Sequence, residues 1–241
     1  MKLEKMSNLN DVNSQDFLAY LEQWKANLPE ITLSQAVVHP ENAARLSVDI
    51  INGFCYEGPL ASPRVARIVE PTVQLFKAAW KYGLRHIVLI QDTHEPNAVE
   101  FGAWPAHCVR GTAEAETVDA FKALSFFDQI IKLEKNSISS ELNTGLVEWL
   151  YVHPEIHTFI AVGDCTDLCT YQLAMQLRLE ANSTQIKRRV IVPADCVDTY
   201  DLPLKSAQII GAMPHPADLL HAIFLYHMSL NGIEVVAKVT A

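Results

Sequence analysis

Residues 157–177 read HTFIAVGDCTDLCTYQLAMQL, and they decide the fold. An apolar run of strand length, HTFIAV (157–162), stops at the turn GDCTDL, and from there apolar residues recur at helical spacing. A buried strand that turns straight into a helix is half of a βαβ unit, and the pattern repeats outward in both directions. ARLSVDII (44–51), RHIVLI (85–90), FDQIIKL (127–133), RRVIVPAD (188–195) and IEVVAKV (233–239) have the same strand character. The amphipathic segments VARIVEPTVQLFKAAWKYG, NTGLVEWLYVHP, DLCTYQLAMQLRLEAN and PADLLHAIFLYHMSLNG alternate with them and end near Gly or Asn. The alternation predicts an α/β fold: a doubly wound, mainly parallel six-stranded sheet with helices on both faces, joined by right-handed crossovers.

The chain has 241 residues, 49% hydrophobic and 20% charged, which is enough to bury a core without staples. One domain over 44–241 is expected, preceded by an N-terminal helical appendage, 1–43, that is not an independent domain. In it DFLAYLEQWKANL (16–28) reads as a helix, and 29–43, with Pro29 and Pro40, as an irregular bridge. The appendage is expected to pack on the sheet or on a partner subunit, which leaves a homo-oligomer open. The first residues, MKLEKMSNLNDVNSQ, lack the apolar core of a signal peptide. No run approaches the ~18 apolar residues that span a bilayer. A cytoplasmic protein with no membrane partner is the expectation. At a formal charge of −9, with Lys187-Arg188-Arg189 as the longest basic cluster, nucleic acid is not an expected partner either.

In an open α/β sheet, ligands bind beyond the carboxyl ends of the strands. The polar residues there are Asp49 with Asn52, Asp92 with His94, Lys135, and the stretch from Gly163 to Cys169. Five cysteines, Cys55, Cys108, Cys165, Cys169 and Cys196, are an odd number in a chain too long to need a disulfide framework. Cys169 opens a helix, where the macrodipole and unpaired N–H groups lower a thiol pKa and supply oxyanion donors. A lone Cys is usually a small buried hydrophobe; position and company make this one a nucleophile. A cysteine nucleophile needs a base. Asp49 is a candidate, although strand-terminal Asp is more often a turn residue, and Lys135 could hold Asp49 and the thiolate together. Asp92, His94 and His107 suit a divalent ion, because imidazole and carboxylate select zinc, iron or manganese. The remaining histidines, His215 and His221 among them, read as surface or packing residues.

In chain order these segments resemble the nicotinamidase and isochorismatase-like cysteine hydrolase superfamily. SVDIINGF (47–54) resembles its first-strand motif. QDTHEP (91–96) and WPAHCVRGTAEAE (104–116) resemble its metal-binding and substrate loops, and VGDCTDLCTYQLAMQL (162–177) its nucleophile loop and helix. WPAHCVRGT together with DTH favours the nicotinamidases. The resemblance implies Cys169 as nucleophile, Asp49 as general base and acid, and Lys135 as their electrostatic support. It implies Asp92, His94 and His107 as ligands of a divalent metal, zinc first and manganese or iron otherwise. Glu100, seven residues before His107, is added as a further ligand or a partner of a bound water. The backbone amides of Cys165 and Cys169 are implied as the oxyanion hole, after a cis Asp164–Cys165 peptide. Phe54 and Trp104 are implied to sandwich a pyridine ring, and Cys108 to pack. The chain departs from the pattern at Ser140-Glu141, where Ala-Phe is expected, at Thr170 in place of Val, and in its longer leader.

The function implied is hydrolysis of nicotinamide, a small-molecule amide, to nicotinate and ammonia through a cysteine thioester, with the metal orienting the ring. A related cysteine hydrolase of another small amide or carbamoyl compound is the alternative. A non-catalytic binding protein on the same scaffold is the third reading.

Overall fold

The computed structural model describes residues 12–241. Its strands are β1 (Glu30–Thr32), β2 (Ala43–Val48), β3 (His86–Asp92), β4 (Ile131–Lys135), β5 (Thr158–Asp164), β6 (Arg189–Pro193), β7 (Val197–Asp198), β8 (Glu234–Val236) and β9 (Lys238–Thr240). The helices are α1 (Val12–Ala26), α2 (Leu33–Ala36), α3 (Asn52–Cys55), α4 (Pro63–Tyr82), α5 (Asp119–Lys122), α6 (Leu146–Val152), α7 (Cys169–Thr184), α8 (Leu204–Ile210) and α9 (Ala217–Leu230). Among the described residues no helix is long and apolar enough to cross a membrane.

The main sheet runs β4-β3-β2-β5-β6-β8, with every neighbouring pair parallel. The chain winds outward from β2 to β4, returns to place β5 on the other side of β2, and winds outward again. The gap between the carboxyl ends of β2 and β5 is thus the switch point of a doubly wound sheet, where such folds bind ligands. Both faces are covered. On β5, Ile160 and Val162 join the cluster under α4, with Val69, Val73 and Phe76, while Phe159 and Ala161 join the cluster under α7 and α9, with Leu173, Leu177 and Leu225. Alternate side chains of a strand point to opposite faces, so a run apolar at every position is what a strand covered on both sides requires.

Three sequence expectations shift. Among the described residues the sheet has seven strands rather than six, because β6 leaves β5 after Ile191 and two-residue β7 takes its place beside Gly163 and Asp164. The strand expected over 127–133 is β4, four residues later. Phe126 stacks on Trp80 at 4.3 Å, and 127–129 form a 3-10 turn; aromatic packing imitated a strand signal. The bridge at 29–43 is not irregular. β1 pairs in parallel with β9, and α2 carries a capping box between Thr32 and Gln35. α1 sets Phe17, Tyr20 and Trp24 around Tyr226 of α9, so the described part of the leader packs against the C-terminal helix.

Candidate active site

The parallel register of β3 and β4 puts Asp92 opposite Lys135, the last residue of each strand. Both strands end two residues beyond the apolar runs of the sequence, 85–90 and 127–133. Asp49 follows β2 with a left-handed backbone, φ 56°, a conformation rare outside glycine but tolerated by Asp. Its amide continues the ladder to the Ile90 carbonyl, and its carboxylate accepts the Asp92 N–H at 2.8 Å. Three strand ends therefore fix one charged group. Lys135 Nζ lies 2.8 Å from Asp49 Oδ2, donates to Asp92 Oδ1, and lies 3.5 Å from Cys169 Sγ.

Beyond β5, Gly163 has φ 122°, and a Cβ there would run into the Val48 carbonyl of β2. Only glycine lets the two strands close at the switch point. The Asp164–Cys165 peptide is cis. Leu168 and Thr170 both donate their amides to the Cys165 carbonyl, at 3.1 Å each, which draws Cys165 against the first turn of α7. Cys169 is the first residue of that helix, and the first amides of a helix have no partner within it.

Electrostatics here run against one expectation. Burial, with the charges of Asp49 and Asp92, pushes the Cys169 thiol well above its ordinary value, against the opposing pull of Lys135. The helix terminus does not make it a resting thiolate. Burial and the neighbouring Asp92 charge push the Asp49 carboxyl up to about 7. Burial also works to raise Asp92, but the Lys135 ammonium, with the imidazoles of His107 and His94 at 3.8 and 3.6 Å, holds it well below the carboxylate range. Burial works to lower Lys135, and the charges of Asp49 and Asp92 raise it well above normal. The arrangement is a neutral thiol, a carboxyl poised near neutrality, and a fixed ammonium between them.

Asp92, His94 and His107 offer one ligand atom each, all within 4.8 Å of one another. A short parallel bridge holds the two loops: His94 donates its amide to the Cys108 carbonyl at 3.0 Å and accepts from the Arg110 amide at 2.8 Å. His107 Nδ1 lies 2.8 Å from the Pro105 carbonyl, which makes Nδ1 the protonated nitrogen and leaves the Nε2 lone pair facing Asp92. His94 is fully buried, and neither of its ring nitrogens has a hydrogen-bond partner. Buried polar atoms without partners are rare, and a cation among the three side chains would supply the missing one. The donor set fits a divalent metal. Glu100 sits half-exposed on the 3-10 turn Val99–Gly102, outside this close group, although its charge helps raise His107.

Phe54 is buried with its ring 5.7 Å from that of His107, while Trp104 is half-exposed with its ring 6.2 Å from Tyr200. Cys108 packs: a Cβ on Gly53 would lie 2.6 Å from its sulfur. Glu141 does not add a charge beside Cys169. It hydrogen-bonds Gln176 and is raised to about 7 by burial and by Glu180, both residues of α7.

Sequence reasoning missed four residues. Phe101 packs on both His94 and His107, at 5.4 and 5.6 Å. Asp164 is buried, and desolvation with repulsion from Asp49 pushes its carboxyl well above the ordinary carboxylate range. Tyr200 stacks on His215 at 3.8 Å, and His215 Nε2 bonds Asp167 at 2.8 Å. The last pair joins the nucleophile loop to the Trp104 wall. Asp167, inside GDCTD, was a signal that some distant partner had to exist, but nothing local named it.

The doubly wound sheet, with a cysteine at the switch point and an acid and a lysine on neighbouring strand ends, defines a class of hydrolases. A family model, "Isochorismatase domain", matches residues 43–222, and the chain belongs to the isochorismatase family as an enzyme of the amidohydrolase kind. Nicotinamidase 1 of Arabidopsis thaliana is 28% identical over 237 residues, covering 91% of this chain and 96% of its own. The nicotinamidase of Acinetobacter baylyi is 26% identical over 235 residues, covering 86% and 99%. Among solved structures, the pyrazinamidase of Pyrococcus horikoshii in complex with zinc superposes with a TM-score of 0.62 at 21% identity, covering 81% of this chain and 98% of its own.

Proposed function

We propose that this enzyme hydrolyses nicotinamide to nicotinate and ammonia through a thioester on Cys169. The observation that carries the reading is Lys135, within 3.5 Å of Cys169 Sγ, Asp49 and Asp92 together, so that the nucleophile and the metal-type cluster share one cation. Asp49, titrating near 7, takes the thiol proton as Sγ attacks the amide carbon. The amides of Cys165 and Cys169 receive the oxyanion. Collapse breaks the C–N bond, and Asp49 returns its proton to the departing nitrogen as ammonia. Asp49 then takes a proton from water, whose oxygen attacks the thioester carbon. The acid leaves, losing its remaining proton to solvent as nicotinate, and Asp49 returns its proton to Sγ. Lys135 stays charged throughout and balances Asp49 in each ionised state.

Asp92, His94 and His107 would hold a divalent cation, zinc first, with Glu100 reaching it through a water. Bound there, the ion supplies a Lewis-acid anchor for a ring nitrogen. Phe54 and Trp104 bound the ring on its faces. The nicotinamidase relatives and the zinc complex of the Pyrococcus protein support this reading.

Ammonia release from nicotinamide, pyrazinamide, benzamide and an N-carbamoyl amino acid tests it. Nicotinamide and pyrazinamide should be the best substrates, and benzamide, lacking the ring nitrogen, far poorer. Preference for the carbamoyl compound would replace the reading with the alternative hydrolase, and no turnover of any amide would leave a binding protein.

A further inference from the structure

We propose that His86, His153 and Glu155 form a second divalent-cation site, at the opposite edge of the sheet from Cys169. It is independent of the function proposed above. His86 opens β3, whereas Asp92 closes it. Six residue steps along a strand separate them by about 20 Å. His153 caps the C-terminus of α6, and Glu155 lies in the turn that leads to β5. One donor atom from each of the three lies within 4.8 Å of the others.

Two imidazoles and a carboxylate select a borderline divalent ion such as zinc, and three protein ligands leave positions for water. The scaffold holds the group in place. The His86 and His153 rings lie 4.9 Å apart, and the largely buried indole of Trp149 packs against both, at 6.1 and 4.8 Å. His86 is paired with Ala44 of β2, and the Asn42 side chain donates to the Glu155 carbonyl at 2.7 Å. Asn42 also accepts the His157 amide at 2.9 Å, so the turn that carries Glu155 is anchored on both sides.

The protonation states suit ligation. Burial, together with the neighbouring His153, lowers His86, and the hydrogen bond from His153 holds Glu155 low. His153 Nδ1 lies 2.9 Å from Glu155 Oε1. Ligation through these atoms exchanges that hydrogen bond for metal bonds, with the imidazole proton carried on Nε2. The ion would pin the start of β3 to the turn between α6 and β5, and so stabilise the edge of the fold that does no chemistry.

Zinc stoichiometry of the chelator-stripped full-length protein, read by competition with a chromophoric chelator, tests the site. The His94→Ala protein should bind one equivalent, and adding His153→Ala should remove it. Because His94 is buried, the same loss of one equivalent is also measured between wild type and His153→Ala, so poor folding of the His94 variant leaves the test intact. Glu155→Gln should weaken this equivalent at least about tenfold, the loss of one charged ligand. Copper(II) should quench an emission component that is absent from Trp149→Phe. His153→Ala should keep wild-type turnover of its amide substrate. Equal zinc stoichiometry in wild type and His153→Ala would overturn the proposal.

Discussion

The two ends of β3 present similar donor groups in opposite settings. At the carboxyl end, Asp92, His94 and His107 are buried, with Asp49 and Lys135 bonded to Asp92 and Cys169 against Lys135. At the amino end, His86 and His153 are half-exposed and Glu155 is exposed. The difference teaches what burial does to charge. Exposed charges are screened and couple weakly. At the buried end each ionisation depends on the others, so a carboxyl sits near neutrality and a thiol remains protonated. Substitutions should therefore be severe at one end of the strand and mild at the other.

The largest effect is expected at Cys169. Cys169→Ala should lower kcat by at least about 10⁴-fold, since removing the nucleophile removes the covalent route. Cys108→Ala should keep most turnover, because that thiol is pushed up by burial and packs against Gly53. Steady-state ammonia release decides it. Comparable loss in Cys108→Ala, with Cys169→Ala active, would reverse the assignment.

Lys135→Met comes next, and it tests the coupling itself. It leaves Asp49 and Asp92 buried side by side without their cation. Removing one partner of a buried ion pair costs about 3–5 kcal/mol, so both stability and turnover should fall. Denaturant unfolding and kcat, measured together, read it. A variant as stable as the wild type would show the group to be no more coupled than a surface pair. Asp49→Asn should retain much more stability, because the side chain keeps its shape and can still accept the Asp92 amide, while turnover drops about 10²–10⁴-fold with the loss of the base.

Metal removal should act on one part of this cluster. Chelation should raise KM and lower turnover of nicotinamide, while Cys169 still reacts with a small alkylating agent, since that sulfur's immediate contact is Lys135. Full turnover in a preparation shown by elemental analysis to be metal-free would remove the metal from the proposed function.

The strength of coupling also marks what could be read from the sequence. Asp49, Lys135 and Cys169 were legible because a strand end followed by a polar residue has only one place to point in a doubly wound sheet. The position of β4 was not legible: as an edge strand it buries Lys135 but exposes most of its other residues, while the aromatic FFDQI before it carried the stronger apolar signal. The thiol's neutrality was missed because a helix terminus is visible in a sequence, whereas the depth of burial that outweighs it is not. Tyr200 and His215 were missed for a related reason. Their partners, Trp104 and Asp167, are brought to them only by the splay of β6 from β5 and by the antiparallel bridge Leu202–His215.

That pair supplies the smallest expected effect, because it lies between the two extremes of burial. Burial works to lower His215, but its hydrogen bond to Asp167 raises it above 6.5, and Asp167 in turn is lowered. A histidine raised in the folded state contributes its full stability below the unfolded value and loses it as pH rises through the folded value. The Asp167 contribution persists down to its own lowered value, so the pair is complete in mildly acidic solution. His215→Gln should therefore lower Tm by a few degrees at pH 5.5 and by less at pH 8.5. Tyr200 loses its stacking partner in the same variant, so KM should rise at both pH values while kcat changes little. A Tm gap that stays constant, or widens toward pH 8.5, would mean that His215 acts through packing alone. The charged link between the nucleophile loop and the Trp104 wall would then have to be abandoned.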